Sequence, residues 1–246
     1  MSEFSLITYN IHKGLNLGNR KFILDKIKDK LHKNDPDFIL LQEIHGSHES
    51  RVIPDNPETS HLNFLADDTY LYNVYGKNAV YKEGDHGNAL LSKWPILDWK
   101  NINLSTNNWE HRGLLMVKLD YKVGEHFLHI ACCHLNLLEK GRQKQINSIC
   151  DYIQDEVDDN TPLILAGDFN DWREKLSVKL RQRLGLQEAF LKSQGNHAKT
   201  FPSFRPSLKL DRVYFRHLSL MEAAVLDSKE WGELSDHSPL SVRFKN

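Results

Sequence analysis

The sequence predicts an α/β fold in which a mixed sheet, or two packed sheets, carries helices on its outer faces. Three observations lead there. Apolar, β-branched runs of strand length recur along the chain, and helical periodicity separates only some of them. Four of the runs end in a polar residue of catalytic type, at Asn10, Glu43, His134 and Asp168. Helices between only some strands point to mixed pairing or to two packed layers. Polar side chains gathered at strand ends are how α/β folds assemble sites from distant parts of a chain.

In chain order, Phe4–Asn10 reads as a strand that ends in a polar turn at His12-Lys13-Gly14. A helix is expected from Asn19 as N-cap, with Phe22, Ile23, Ile27 and Leu31 on one face. Pro36 stops it, and Asp37–Gln42 is a buried strand. Residues 44–85, polar and carrying Pro54 and Pro57, read as an irregular excursion. Asn88–Ser92, Gly113–Leu119 and Phe127–His134 are further strands. Glu139–Val157 is the clearest helix, striped by Ile146, Ile149, Cys150, Ile153 and Val157. Pro162–Gly167 is a fully apolar strand, a short helix follows over Lys175–Leu184, and Val213–Phe215 and Leu240–Phe244 close the fold.

No repeat, low-complexity tract or Pro/Gly/Ser-rich linker divides the chain, so its 246 residues are expected to form one domain, 1–246. A chain of that length buries enough apolar surface to fold without staples. Cys132, Cys133 and Cys150 cannot pair completely and offer no CxxC spacing; they read as buried thiols in a reducing compartment. Met1–Phe4 has neither a basic n-region nor an apolar h-region, and no apolar stretch reaches the ~20 residues of a membrane span. A cytoplasmic monomer is the expectation. Net charge of −1 and a pI near 6.9 give no global nucleic-acid footprint, although one local basic groove would not register in the total.

The candidate chemistry lies at the strand ends. Asn10 ends ITYN and Glu43 ends LLQE. An amide oxygen and a carboxylate converging there are hard ligands suited to Mg²⁺ or Mn²⁺, though either alone reads as a cap or surface charge. In LILAGDFNDW, Gly167 allows a sharp turn, and Asp168 and Asn170 can share a cavity while Phe169 points away. An acid and an amide so placed could orient water and bind a phosphoryl oxygen; a plain Asx-turn is the bland alternative. His134 and Asn136 share a face after FLHIACC. Asp236-His237 pairs a metal-capable carboxylate with an imidazole that Asp211 could hold in one tautomer. Ser235 or Ser238 as nucleophile is a weaker idea, because no GxSxG elbow exists. Arg112 and Arg142 could clamp a phosphate, with a surface position as the default. The five tryptophans could stack on a substrate or simply pack. His45, His48, His61, His86 and His111 show no i,i+4 metal pairing and read as loop residues. Residues 200–210 (TFPSFRPSLKL) should overhang the site as a substrate-shaping loop.

TYNIHKG, LQEIHG, HGNALLSKWPI, CCHLN, AGDFNDW, LDRVYF and SDHSPL follow one another as in the endonuclease/exonuclease/phosphatase superfamily, which the chain resembles from about residue 4 to 244. That superfamily includes DNase I-like nucleases, abasic-site endonucleases, neutral sphingomyelinases, inositol polyphosphate phosphatases and tyrosyl-DNA phosphodiesterases. Within it the chain resembles an uncharacterised bacterial branch of small, signal-less members. The resemblance implies a four-layer α/β/β/α sandwich of two packed mixed sheets with outer helices, DNase I-like. It implies a Mg²⁺-dependent phosphodiesterase, with Mn²⁺ as a possible substitute, acting on nucleic acid or on a phospholipid headgroup or other small diester.

Position by position, the resemblance makes Glu43, Asn10 and Asp236 metal-binding residues. Asp168 polarises the attacking water, and Asn170 holds that water or a phosphoryl oxygen. His237, oriented by Asp211, and His134 stabilise the transition state, and Asn136 touches the substrate phosphate; Arg112 is a further substrate-binding candidate from its own chemistry and not from the resemblance. His12 stands where many abasic-site enzymes carry an acid, which puts a second metal in question. The histidine of CCHLN, where those nucleases use tyrosine, leans toward the sphingomyelinase and tyrosyl-phosphodiesterase side. A phosphomonoesterase acting on a sugar or inositol phosphate is the alternative enzyme, and a binding module that lost its chemistry is the non-enzymatic one.

Overall fold

In the computed structural model, residues 3–16, 18, 21–48, 53, 59–226 and 228–245 are described. Two six-stranded sheets pack face to face. The first contains β1 (Glu3–Asn10), β2 (Phe38–His48), β3 (Tyr72–Tyr81), β4 (Gly84–Ser92), β11 (Ser219–Val225) and β12 (Leu240–Lys245), in the order β11-β12-β1-β2-β4-β3. The second contains β5 (Ile96–Asn103), β6 (Gly113–Val123), β7 (His126–His134), β8 (Leu163–Asp168), β9 (Gln187–Glu188) and β10 (Asp211–Arg216), in the order β5-β6-β7-β8-β10-β9. Both are mixed: β1 runs parallel to β2, and β7 parallel to β8, among antiparallel neighbours.

The two-residue strand period sorts side chains into layers. Phe4 and Leu6 of β1 join Phe38 and Leu40 of β2 and meet Val117, Ile130, Ile164 and Val213 of the second sheet in the inner core. The alternate residues Ile7, Tyr9, Ile39 and Leu41 face outward against α1 (Leu24–Asn34) and α2 (His61–Ala66). Ala131, Cys133, Leu163 and Leu165 likewise face α3 (Glu139–Glu156) and α4 (Ser177–Leu184). Burial on both faces explains why these strands read as continuous apolar runs. The architecture is the α/β/β/α sandwich. Cys132, Cys133 and Cys150 are all buried and unpaired. No helix among the described residues is long and apolar enough to cross a membrane.

Several expectations are corrected. The first helix begins at Leu24, because Phe22 is engaged in a bridge with Leu15 and Ile23 donates its N–H to Gly14; Asn19 lies outside the described residues. The described residues of the 44–85 stretch are not an irregular excursion. β2 continues through it to His48, α2 forms behind a Ser60 N-cap, and β3 follows; Pro54 and Pro57 lie outside the described residues. Strands β5 and β11 escaped the sequence reading because they lie at sheet edges and are mostly exposed, which removes the apolar signal, and the edge strand β9 because it is only two residues long. Two short helices were also missed, α5 (Ala189–Gln194) and α6 (Ser228–Trp231).

Candidate active site

Strand register builds the centre of the site. The parallel β7–β8 pair sets His134 opposite Asp168, and the antiparallel β8–β10 pair sets Asp211 opposite Asp168. Three residues far apart in sequence therefore form one row across the second sheet. The close approach of β8 to β7 depends on Gly167. Its φ is +138°, and a Cβ there would sit 2.0 Å from the Cys133 carbonyl oxygen, so only glycine fits.

Asp168 is the hub. Its Oδ1 accepts the Asn170 N–H at 2.9 Å, and its Oδ2 accepts the Asn10 amide at 3.1 Å from the opposite sheet. The same Oδ2 lies 3.5 Å from His134 Nε2 and 3.7 Å from His237 Nε2. Phe169 turns outward onto Tyr214, as expected, with ring centres 5.1 Å apart. Asn170, at φ +50°, closes an Asx-type turn on Asp168, and its side chain braces the end of β7 by donating to the Leu135 carbonyl.

The two histidines beside Asp168 hold different charge. His237 donates from Nδ1 to Asp211 Oδ2 at 2.8 Å. Burial works against its charge, but Asp211, Asp168 and Asp236 more than offset that and push it up to about 10. His134 is pushed well below the usual histidine range, first by burial and then by Arg112, His237, His86 and Lys13, so it is neutral at neutral pH. Burial pushes the Asp168 carboxyl up to about 6, with His237 pulling it down and Asp211 pushing it up.

Glu43 and Asp236 complete the pocket. Glu43 does not end a strand: it sits at φ +56° in a register shift between Leu41 and Ile44, and this bulge, not a terminus, turns its side chain out. Its Oε1 is 3.5 Å from Asn10 Nδ2 and 4.0 Å from His134 Nδ1. Asp236 pairs with His12 Nδ1 at 3.2 Å. Burial opposes its charge, but His12 and His237 hold it below the usual carboxylate range. Ser235 ties the two halves together, its hydroxyl 2.7 Å from the Asn10 carbonyl and 3.3 Å from Asp236 Oδ1. That bonding and full burial give Ser235 a structural place.

Asn136 and Arg112 lie on the flank. The Asn136 amide donates to Thr106 and accepts from Gln145, and Arg112 pairs with Glu110 at 2.9 Å while donating to the Leu135 carbonyl. Arg142 is not a surface residue. It is fully buried, donates to the Asn136 and Leu137 carbonyls and lies under the Trp172 ring. Its spacing from Ile146, Ile149 and Ile153 extends the inward stripe of α3 by one turn, a signal legible in the sequence. Residues 200–210 do lie against the site. The Phe201 ring is 5.1 Å from that of His237, and the Ser203 N–H donates to the Asp236 carbonyl. The reading of the histidines as loop residues holds for exposed His111 but is corrected for the others: His45 and His48 lie in β2, His61 in α2 and His86 in β4, and His45, His61 and His86 are buried and close together.

The donor set fits a hard divalent cation. Glu43, Asp168, Asp211, Asp236 and the Asn10 amide put oxygen ligands and excess negative charge around one pocket. Among the described residues, Asp168, Asp211 and His237 form the one His/Cys/Asp/Glu trio with ligand atoms all within 4.8 Å of one another. The bond between Asp211 and His237 already occupies that trio. Glu43 and Asp236 keep 20% and 24% of their side-chain surface accessible, which makes them the more open donors.

Sequence comparison adds to this geometry. The profile of the Endonuclease/Exonuclease/phosphatase family matches residues 7–237. The chain belongs to that family. Within it, the chain is 40% identical over 244 residues to the Uncharacterized protein YbhP of Escherichia coli strain K12, covering 98% of this chain and 96% of that protein. The fold is similar to the endonuclease/exonuclease/phosphatase from Beutenbergia cavernae DSM 12333, with TM-score 0.78 and 18% identity over 100% of this chain and 72% of that one. It is also similar to D. rerio TDP2 complexed with single strand DNA product, with TM-score 0.72 and 19% identity over 100% of both chains. At such identities the likeness is one of fold.

Proposed function

We propose that this family member is a divalent-cation-dependent phosphodiesterase that cleaves its substrate by in-line attack of water. The observation that carries the reading is the placement of Asp168 between a neutral and a charged histidine, beside an open set of oxygen ligands. Asn10, Glu43 and Asp236 would hold Mg²⁺, or Mn²⁺ in its place, whose chemistry when bound is neutralisation of charge on a phosphoryl oxygen and on the leaving oxygen. Asp168 accepts the proton of the attacking water, and its raised pKa suits that task near neutrality. Asn170 fixes the Asp168 carboxylate through its N–H. His237, kept charged and oriented by Asp211, donates to the phosphoryl oxygen on which negative charge develops, and His134 donates from the other side as a neutral imidazole.

Arg112 and Asn136 border the cleft where the rest of a substrate would lie. Trp172, 40% exposed and stacked with the Arg142 guanidinium that donates to the Asn136 carbonyl, offers stacking or apolar contact on this flank. The three buried thiols support a reducing, cytoplasmic setting, and we read residues 1–246 as one monomeric catalytic unit. Bis(p-nitrophenyl) phosphate compared with p-nitrophenyl phosphate, in Mg²⁺ and in EDTA, tests the reading. Diester cleavage abolished by EDTA is expected. Activity indifferent to EDTA, or preference for the monoester, would overturn it. A panel of plasmid DNA, abasic duplex, 5′-phosphotyrosyl DNA, sphingomyelin and phosphatidyl lipids then separates nucleic acid from phospholipid as substrate.

A further inference from the structure

A serine, a histidine and a glutamate that the phosphodiesterase geometry leaves unused meet on the outer face of the second sheet. Ser177 opens α4, Glu188 ends β9, and His197 follows α5. Tyr214 supports them from β10, three residues along the strand from Asp211 and therefore on its other face. Ser177 Oγ is 3.1 Å from His197 Nε2, and His197 Nδ1 is 3.0 Å from Glu188 Oε2. A carboxylate can only accept, so Nδ1 carries the proton and Nε2 of the neutral ring accepts the Ser177 hydroxyl. Glu174 Oε2 is 3.9 Å from that Nε2, beyond hydrogen-bonding reach, and its carboxylate is paired with Lys209. The Leu191 N–H fixes Glu188 Oε2 at 2.8 Å, while Glu188 Oε1 is buried with no hydrogen-bond partner. An unsatisfied buried carboxylate oxygen calls for an explanation, and stabilising positive charge that arrives on His197 is one.

We propose that Ser177, His197 and Glu188 form a second catalytic centre, a serine-type site that hydrolyses small carboxylic esters. Nucleophile, base and orienting acid each lie within hydrogen-bond reach of the next, and such triads are recognised by geometry and not by motif or chain order. Ser177 is half-buried, and with Tyr214 it lines a cavity of about 560 Å³ walled by Leu186 and Leu191, a size suited to a small organic molecule. Donors for an oxyanion are at hand. The Tyr214 hydroxyl is 2.8 Å from Ser177 Oγ, and burial holds its phenol above the usual tyrosine range, so it keeps its proton. The first N–H groups of α4 have no carbonyl partner inside the helix, and the Leu176 side chain caps none of them. Ser177 Oγ attacks the ester carbonyl carbon as its proton passes to His197 Nε2. The C–O bond of the tetrahedral intermediate breaks, the alcohol leaves with that proton, and the acyl group stays on Ser177. Water then attacks the acyl carbon and gives a proton to His197. The acid departs, and Ser177 Oγ recovers the proton. Ester and water become acid and alcohol, and the step needs no cation.

The test uses the full chain in EDTA, with p-nitrophenyl acetate and butyrate as substrates and a fluorophosphonate as covalent label. Saturable ester hydrolysis is expected, together with one equivalent of label found by peptide mass spectrometry on Ser177. Ser177→Ala should abolish the label and lower kcat/KM at least ~10²-fold. Glu188→Gln keeps the shape of the acid and should reproduce a large part of that loss, with the double variant little worse than Ser177→Ala, because the triad acts as a unit. Hydrolysis unchanged in Ser177→Ala, hydrolysis abolished by EDTA, or a label absent or carried by another residue would overturn the site. If Glu188→Gln fails to fold, Ser177→Ala and the labelling of the wild type decide alone. Because the ester assay runs in EDTA, its failure leaves the phosphodiesterase reading standing, and the reverse also holds.

Discussion

Asp168 and Asp211 are register partners on adjacent antiparallel strands, and Asp211 alone holds the histidine they share. Asp211 Oδ2 lies 2.8 Å from His237 Nδ1, whereas Asp168 Oδ2 lies 3.7 Å from Nε2 of the same ring. One carboxylate orients the imidazole, and the other is left available to a water. Two acids of one type thus take different places because the ring between them is bonded on one side.

Asp168→Asn is expected to keep cation binding and to lower turnover by ~10²-fold or more, since the amide keeps the shape and loses the basicity. Calorimetry of Mg²⁺ binding beside single-turnover cleavage checks this. Loss of cation affinity in proportion to rate would move Asp168 into the metal shell.

His237→Ala should cost ~10²–10⁴ in kcat, and Asp211→Asn a large part of the same loss. The double variant should be little worse than His237→Ala, because the pair acts as a unit. Multiplicative losses would show two independent groups.

The pH profile of kcat/KM should rise as pH increases through about 6 or below and stay level to about 10. Asp168 must be deprotonated to accept a proton, and burial holds its carboxyl near 6. A cation on the neighbouring carboxylates lowers that limb. His237 must be protonated to donate, and it stays so until about 10. The apparent values belong to the coupled cluster as a whole. An acid limb at pH 7 or above would contradict the assignment.

Gly167→Ala should destabilise the fold by on the order of 3 kcal/mol, because the new Cβ meets the Cys133 carbonyl at 2.0 Å. Gly185→Ala is the control. Its φ is +66° with nothing within 4 Å, so only the left-handed backbone costs, about 1 kcal/mol. Denaturant midpoints of the two variants check the difference; equal losses would mean that β7 and β8 can part without strain.

Much of this was legible in residue order. The apolar runs at Phe4–Asn10, Asp37–Gln42 and Pro162–Gly167 announced buried strands because both their faces are covered. The α3 stripe announced a helix, and seven ordered motifs announced the family. Edge strands such as β5 and β11 were silent because their side chains face water and carry no pattern. The 44–85 stretch misled because its polarity serves buried contacts: His45 and His86 are polar residues of the interior.

The sequence alone determined that Asn10, His134 and Asp168 stand at strand ends, since the two-residue period and the turn-forming glycines are local properties. Tertiary structure decided what those residues are. Asn10 reaches Asp168 across 158 positions and His237 reaches Asp211 across 26, so charge and partner depend on strand register and sheet packing. His134 and His237 are the same side chain in sequence. One is neutral and the other charged because desolvation acts on both, while the carboxylates that offset it gather around His237 and positive groups add to it at His134.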